Sequence, residues 1–454
     1  MPHDDPSRRD LLRTSAAVGA ATLLAAHGVA QAQHEHHQPT PTPTPKPTPK
    51  PSPKPKPNPS PNPRPTAAPA GSTVVTPNGR SLEWRSVGGV KVFHLVAGPV
   101  HHVFAPGLEA ECWGYNGTTS GPTLEAVEGD RVRVYVTNKL PEPTSVHWHG
   151  VILPNGMDGV SGLTQQRIAP GETCRYEFTF ARAGTVMYHP HFDEMTQIAL
   201  GMVGMIVVHP RRGRRPDRDY ALMLGEWKLT PGLRRPDPLA MSDFNLLTFN
   251  SVAYPATQPM VAQRGDRVRI RLGNLGPMDH HPIHIHGHAF RVVETDGGQV
   301  PRAAQHPETS ILVPVGSVRV IELTADNPGD WPFHCHMTHH VMNQMGHAGP
   351  STLGADLSGV DRAVARSVPG AMLMGSTGMG DMGAMKMPAP VNSIPMQGAP
   401  GPFGSIDMGG MFTMIKVRDR LDGTGDPGWY RHPDGTVARP ASAAEMEADG
   451  IVVE

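Results

Sequence analysis

The residues most able to do chemistry in this chain are three in a row, His334-Cys335-His336. On an extended strand neighbouring side chains point to opposite faces, so the two imidazoles would serve one site and the thiol another. Such a strand is a short conduit between two metals. His340 and Met345 follow the cysteine, and His281 opens an earlier His-Pro-Ile-His-Ile-His run. Two imidazoles, a thiolate and a thioether, from His281, Cys335, His340 and Met345, make the ligand set of a blue-copper electron-transfer centre.

Eight imidazoles, His334 and His336 among them, come in four His-x-His pairs: His147 with His149, His189 with His191, His284 with His286, and His334 with His336. If extended, each pair presents both rings to one side. A single such pair is often a surface feature of a strand. Four convergent pairs exceed what one tetrahedral ion takes and suit a group of three coppers.

The elements that must position these residues are legible as a repeat. Gly129-Asp130-Arg131-Val132-Arg133-Val134 returns as Gly265-Asp266-Arg267-Val268-Arg269-Ile270, and His147-Trp148-His149-Gly150 returns as His284-Ile285-His286-Gly287. Gly171 precedes His189-Pro190-His191 by the same distance as Gly316 precedes His334-Cys335-His336. A nearly constant offset of this kind means two copies of one supersecondary unit. Runs such as Arg131–Val136 and Arg267–Leu272 alternate polar with apolar residues, the period of a half-buried strand, and no long amphipathic helix interrupts either copy. The expected fold is all-β, two antiparallel Greek-key sandwiches, over residues 74–212 and 213–355. Two histidine pairs come from each copy, which places the three-metal group at a domain interface. Aligned on the shared motifs, His281, Cys335, His340 and Met345 face Thr144, Pro190, Met195 and Leu200, so the first copy lacks the mononuclear site.

The remaining segments read differently. Residues 1–32 contain Arg8-Arg9, an apolar stretch and Ala30-Gln31-Ala32, the parts of a twin-arginine export signal. The apolar part is too short to span a bilayer, so periplasmic or secreted localisation without a stable membrane anchor is expected. Residues 33–73 alternate proline with polar residues and form a linker without a core. Residues 356–454 form a methionine-rich C-terminal extension; ten methionines lie between Met372 and Met414 with no helical or strand period, and soft thioethers suit Cu(I). The formal net charge of −1 gives no reason to expect nucleic acid as a partner. Cys112 and Cys174 either pair in the oxidising compartment or remain inert thiols; the inert reading is favoured because Cys174 shares a strand face with Tyr176, Phe178 and Phe180.

With these motifs in hand, the chain resembles the multicopper oxidases, a family of cupredoxin-domain enzymes that includes laccases, over about residues 74–350. The resemblance implies four copper ions per chain. By position, His147 and His284 resemble the type 2 ligands; His149, His189, His191, His286, His334 and His336 resemble those of the type 3 pair; His281, Cys335 and His340 would bind the type 1 copper with Met345 axial. Asp158, in Met157-Asp158-Gly159, resembles the family's proton-relaying aspartate, although an aspartate before glycine is also an ordinary turn residue. The implied activity couples one-electron oxidation of a donor, whether Cu(I), Mn(II) or a phenolic compound, to four-electron reduction of dioxygen to water. Two domains rather than three resemble the small-laccase-like branch, which implies a homotrimer with clusters between subunits. A copper nitrite reductase and a non-enzymatic periplasmic copper-binding protein are the competing readings.

Overall fold

The computed structural model describes residues 74–344 and 391–453, apart from Pro231, Gln397 and Thr424. The export segment, the Pro-rich linker, Met345 and the part of the methionine-rich stretch before Val391 lie outside those residues.

The first sandwich contains β1 (Trp84–Val87), β2 (Val90–Ala105), β3 (Leu108–Tyr115), β4 (Leu124–Val127), β5 (Arg131–Asn138), β6 (Thr173–Thr179), β7 (Gly184–Tyr188) and β8 (Gly204–His209), with one short helix, α1 (Glu194–Ala199), between the last two. One sheet runs β1-β2-β5-β6 with β3 on β2, and the other runs β4-β8-β7. The alternation in β5 does what its pattern predicts: Val132, Val134 and Val136 are buried while Arg133 and Tyr135 lie on the outer face.

The second sandwich contains β9 (Arg218–Trp227), β10 (Leu246–Phe249), β11 (Met260–Gln263), β12 (Arg267–Asn274), β13 (His281–Ile285), β14 (Phe290–Thr295), β15 (Gly298–Gln299), β16 (Pro307–Glu308), β17 (Ser310–Val313), β18 (Ser317–Thr324) and β19 (Gly329–Cys335). A small hairpin, β20 (Pro400–Gly401) with β21 (Gly404–Ser405), precedes the last strand, β22 (Phe412–Arg418). The sheets run β10-β9-β12-β18-β14-β15, with β16 on β14, and β11-β22-β19-β13-β17. The fold class is as expected, all-β with two sandwiches. The strands are not purely antiparallel: β2 with β5, β4 with β8, β9 with β12 and β11 with β22 are parallel. Crossing to the opposite sheet and back lets the chain return beside an earlier strand in the same direction.

The repeat extends to this pairing and corrects one boundary. In the first copy β8 lies parallel to β4 and antiparallel to β7; in the second, β22 lies parallel to β11 and antiparallel to β19. β22 is therefore the counterpart of β8, and the second sandwich does not end at residue 355. The methionine-rich stretch is largely an insertion between β19 and β22. Its two ends meet, because Ile394 donates its N–H to the Gln344 side chain at 2.8 Å and Asn343 donates N–H to Met396 O at 2.5 Å.

The two sandwiches belong to one compact unit. Met187, Met205 and Val207 of the first sandwich pack with Ala221, Met223, Val318 and Val320 of the second in a continuous apolar cluster. Covering the back of the second sandwich in this way buries the later part of β12 on both faces, including Arg271.

Candidate metal centres

The pairing of β13 with β19 decides which side chains share a face. Ile283 is opposite Cys335 and His284 is opposite His334. Since His281 is in phase with Ile283, the thiol shares the inner face with His281, while His334 shares the outer face with His284. A 3-10 turn, Thr338–Val341, brings His340 back over the thiol. Cys335 Sγ lies 3.5 Å from His340 Nδ1 and 3.8 Å from His281 Nδ1, and the two nitrogens are 3.2 Å apart. All three residues are buried.

Burial pushes the Cys335 thiol up to about 12 and the His281 imidazole down to about 3, the latter helped by the His340 ring. A thiol and two imidazole nitrogens thus converge in a buried pocket, where the thiol keeps its proton until a cation replaces it; His281 turns Nδ1 toward the thiol, and its buried Nε2 has no hydrogen-bond partner. That is what a site built for a soft cation looks like. Asp279 Oδ2 stands 3.7 Å from His340 Nε2. The Asp279 backbone is held in turn by Glu226, a buried carboxyl raised to about 8 by burial, which accepts from the Met278 and Asp279 N–H groups.

The other eight imidazoles form two quartets. In the first, His147, His149, His189 and His191 lie with ring centroids 5.3 to 6.2 Å apart, and the donor atoms of His147, His149 and His189 fall within 4.8 Å of one another. His147 Nδ1 donates to Asp158 O at 2.8 Å, with Asp158 Oδ1 at 3.5 Å. Gly159 makes this approach feasible, because at φ +88° a Cβ there would sit 1.8 Å from Val146 O. His189 Nδ1 donates to Pro190 O at 2.8 Å and has Glu194 Oε1 at 3.4 Å, which turns its Nε2 toward His149 Nδ1 at 3.4 Å. Burial lowers His189 to about 3.

In the second quartet, His284, His286, His334 and His336 have centroids 4.8 to 5.8 Å apart. His284 Nδ1 is held by Thr309 O at 2.7 Å and Ser310 Oγ at 2.8 Å; His334 Nδ1 donates to Cys335 O at 2.8 Å. The Nε2 atoms of His286 and His334 then face each other at 3.2 Å. Outer partners of this kind fix the tautomer and aim of a metal-binding imidazole. Among the described residues, ring contacts join histidines within each quartet and none joins the two quartets.

Of the residues expected from the sequence, His281, Cys335 and His340 meet at one point, the four histidine pairs meet two by two, and Asp158 touches His147. Met345 lies outside the described residues. Glu194 and Asp279 were not expected; the only signal for either is an acidic residue two or three positions from a ligand. Cys112 and Cys174 are free, the former fully buried with its thiol raised by burial.

Two family models, both described as multicopper oxidase, match residues 98–213 and 230–350. The chain belongs to the multicopper oxidase family. Among its relatives, copper resistance protein A of Escherichia coli is 40% identical over 123 residues, covering 27% of this chain and 20% of that protein. Multicopper oxidase MmcO of Mycobacterium tuberculosis is 32% identical over 215 residues, 40% and 42% of the two chains. This multicopper oxidase spans less than half the length of the curated relatives it matches. The crystal structure of the blue copper oxidase of Nitrosomonas europaea superposes with a TM-score of 0.54 at 26% identity, covering 72% of this chain and 85% of that one. A twin-arginine translocation signal model matches residues 5–25, so the protein is exported to the periplasm or beyond by that route. Among the described residues no helix is long and apolar enough to cross a membrane.

Proposed function

We propose that this multicopper oxidase couples one-electron oxidation of a donor beside Cys335 to reduction of dioxygen to water at the histidine quartets. The observation that carries the reading is the β13–β19 register, in which one backbone presents Cys335 to the donor side and His334 to the other. His281, Cys335, His340 and Met345 would hold one copper, and the eight paired histidines would hold three. Bound copper would supply the one-electron redox chemistry and the capacity for oxygen reduction.

The chain's own residues do the rest. Cys335, fully buried, joins the two sides through its thiol and through the carbonyl that accepts from His334 Nδ1. Neutral imidazoles offer lone pairs without first losing a proton. Asp158, a partly exposed carboxylate beside His147, is suited to passing protons between solvent and the first quartet.

Because each quartet closes on itself within one chain, the reading has the first quartet of one copy meet the second quartet of another, in a homotrimer. Among donors, Cu(I) fits best. The C-terminal end of the methionine-rich insertion returns beside the Cys335 backbone: Cys335 donates its N–H to Met411 O at 3.1 Å, and Met411 donates to His340 O at 3.0 Å. Thioethers concentrate Cu(I) in preference to harder ions.

Oxygen uptake by the copper-loaded protein tests this. With Cu(I) as donor the protein should consume one dioxygen per four electrons, and Cys335→Ser should lose the visible thiolate absorption and donor oxidation while keeping copper at the quartets. Full turnover in that variant, or copper binding without oxygen uptake in the native chain, would overturn the reading.

A further inference from the structure

Methionine is usually buried, and four methionines are exposed among the described residues: Met195 at 57%, Met241 at 73%, Met278 at 48% and Met337 at 43%. They are not scattered. Met337 directly follows His336, and the other three line one cleft of about 540 Å³ whose floor is His147, His149, His189 and His191. These three come from distant parts of the chain: Met195 from α1, Met241 from the loop before β10, and Met278 from the loop after β12. Three sequence-remote thioethers converging over one set of imidazoles need a reason, since leucine or isoleucine would cover the same surface equally well.

The chemistry supplies one. A thioether is a soft donor that selects Cu(I) over harder ions, whereas imidazole holds both copper states. The cleft also contains Glu194, whose carboxylate favours a cation, and its remaining wall is apolar at Pro238, Ala240 and Leu275. Below the methionines, His147, His149 and His189 already bring three donors within 4.8 Å inside a single chain. No comparable three-donor group arises in the second quartet among the described residues.

We propose that Met195, Met241 and Met278 form a Cu(I)-capture vestibule that loads the first quartet with its first ion before another copy of the chain closes over it. The transfer carries Cu(I) from sulfur to nitrogen without a change of oxidation state, so it needs no oxidant or reductant. The vestibule is distinct from the methionine-rich insertion beside Cys335 and serves assembly rather than turnover. This inference rests on the reading that the quartets hold copper.

The test follows anaerobic transfer of Cu(I) from its coloured bicinchoninate complex to the copper-free full chain, in a Cys335→Ser background that silences the donor-side site. Met195→Leu, Met241→Leu and Met278→Leu are combined; exposed positions of conserved volume should leave folding intact. Loading with Cu(II), which thioethers bind poorly, runs in parallel. The expected result is Cu(I) transfer slowed roughly tenfold or more with Cu(II) loading unchanged. Equal Cu(I) rates in the two proteins would overturn the vestibule, as would equal slowing of both ions, which would mark a merely structural role. If the methionine-intact protein takes up neither ion, the copper-holding reading itself fails, and the two failures are thereby told apart.

Discussion

Replacing Arg271 by methionine would probe how the first sandwich is held against the second. Arg271 is 1% exposed and donates to Asp219 through two nitrogens, at 2.7 and 2.8 Å, and to Thr185 Oγ1 at 2.5 Å. Thr185 lies on β7, the strand that leads into His189, and its hydroxyl donates to Glu294 at 2.9 Å. Removing the cation leaves two buried carboxylates. Glu294 keeps Thr185 and Gln299, the latter at 2.7 Å, but the Asp219 side chain loses both of its hydrogen bonds from Arg271. Breaking a buried pair from one side typically costs about 3–5 kcal/mol, because the remaining charge is uncompensated. For a unit of this size that corresponds to a fall in Tm of roughly 4–7 °C. The orphaned Asp219 would have a raised pKa in the folded variant, so the deficit should shrink as pH falls and the carboxyl becomes neutral. Adding Asp219→Leu should recover most of the loss, since an apolar pair can replace a buried ion pair at little cost. Denaturant unfolding of the copper-free proteins at neutral and acid pH measures all of this. A deficit below about 1 kcal/mol, or a double variant no more stable than the single one, would refute the reasoning.

Two further predictions concern acid stability and the chain's late strand. In the copper-free protein, His102, His189 and His281 are lowered by burial to about 4, 3 and 3. Their stability contribution is complete above the unfolded value near 6.5 and is lost as pH falls toward the folded values; Glu226, raised to about 8, opposes them as one group against three. The net loss should be roughly 2–3 kcal/mol per pH unit near pH 5.5, read from urea midpoints, and midpoints that hold steady or rise on acidification would contradict it. Excising residues 350–390 should leave the second sandwich folded, whereas ending the chain before Phe412 should abolish it, because β22 lies between β11 and β19. Thermal melting by circular dichroism, with visible absorption after copper loading, distinguishes the two, and a stable chain lacking residues 412–418 would be incompatible with the sheet order.

The candidate ligands were legible because their spacing equals the strand period: His334-Cys335-His336 can serve two faces only if extended, and β19 is extended there. The repeat likewise gave the two sandwiches, and the alignment of His281 with Thr144 holds in space, where Thr144 bridges Ile168 as His281 pairs with Val313. Partnerships across long sequence distance were not legible. Phe412–Arg418 reads as a strand, yet nothing local says that it completes a sheet begun at Met260. Arg271 occupies an outward position of an alternating strand and reads as solvent-facing; the first sandwich covers it, and Asp219, on the neighbouring strand, neutralises the charge so that it can stay buried. Asp279 and Glu194 are acidic loop and helix residues of a kind found on any surface, and only the folded geometry brings them beside imidazoles.

In the proposed function the two quartets, one from each of two copies, make a single oxygen-reducing site fed through Cys335. Subunit mixing tests it most directly. One protein carries His147→Ala and His149→Ala, the other His284→Ala and His286→Ala; each alone should be inactive. Unfolded together in equal amounts, refolded and loaded with copper, they should regain about a quarter of native oxygen uptake per chain, the fraction of head-to-tail interfaces that combine two intact quartets. A mixture as inactive as its parents, with mixed oligomers demonstrably present, would contradict the claim.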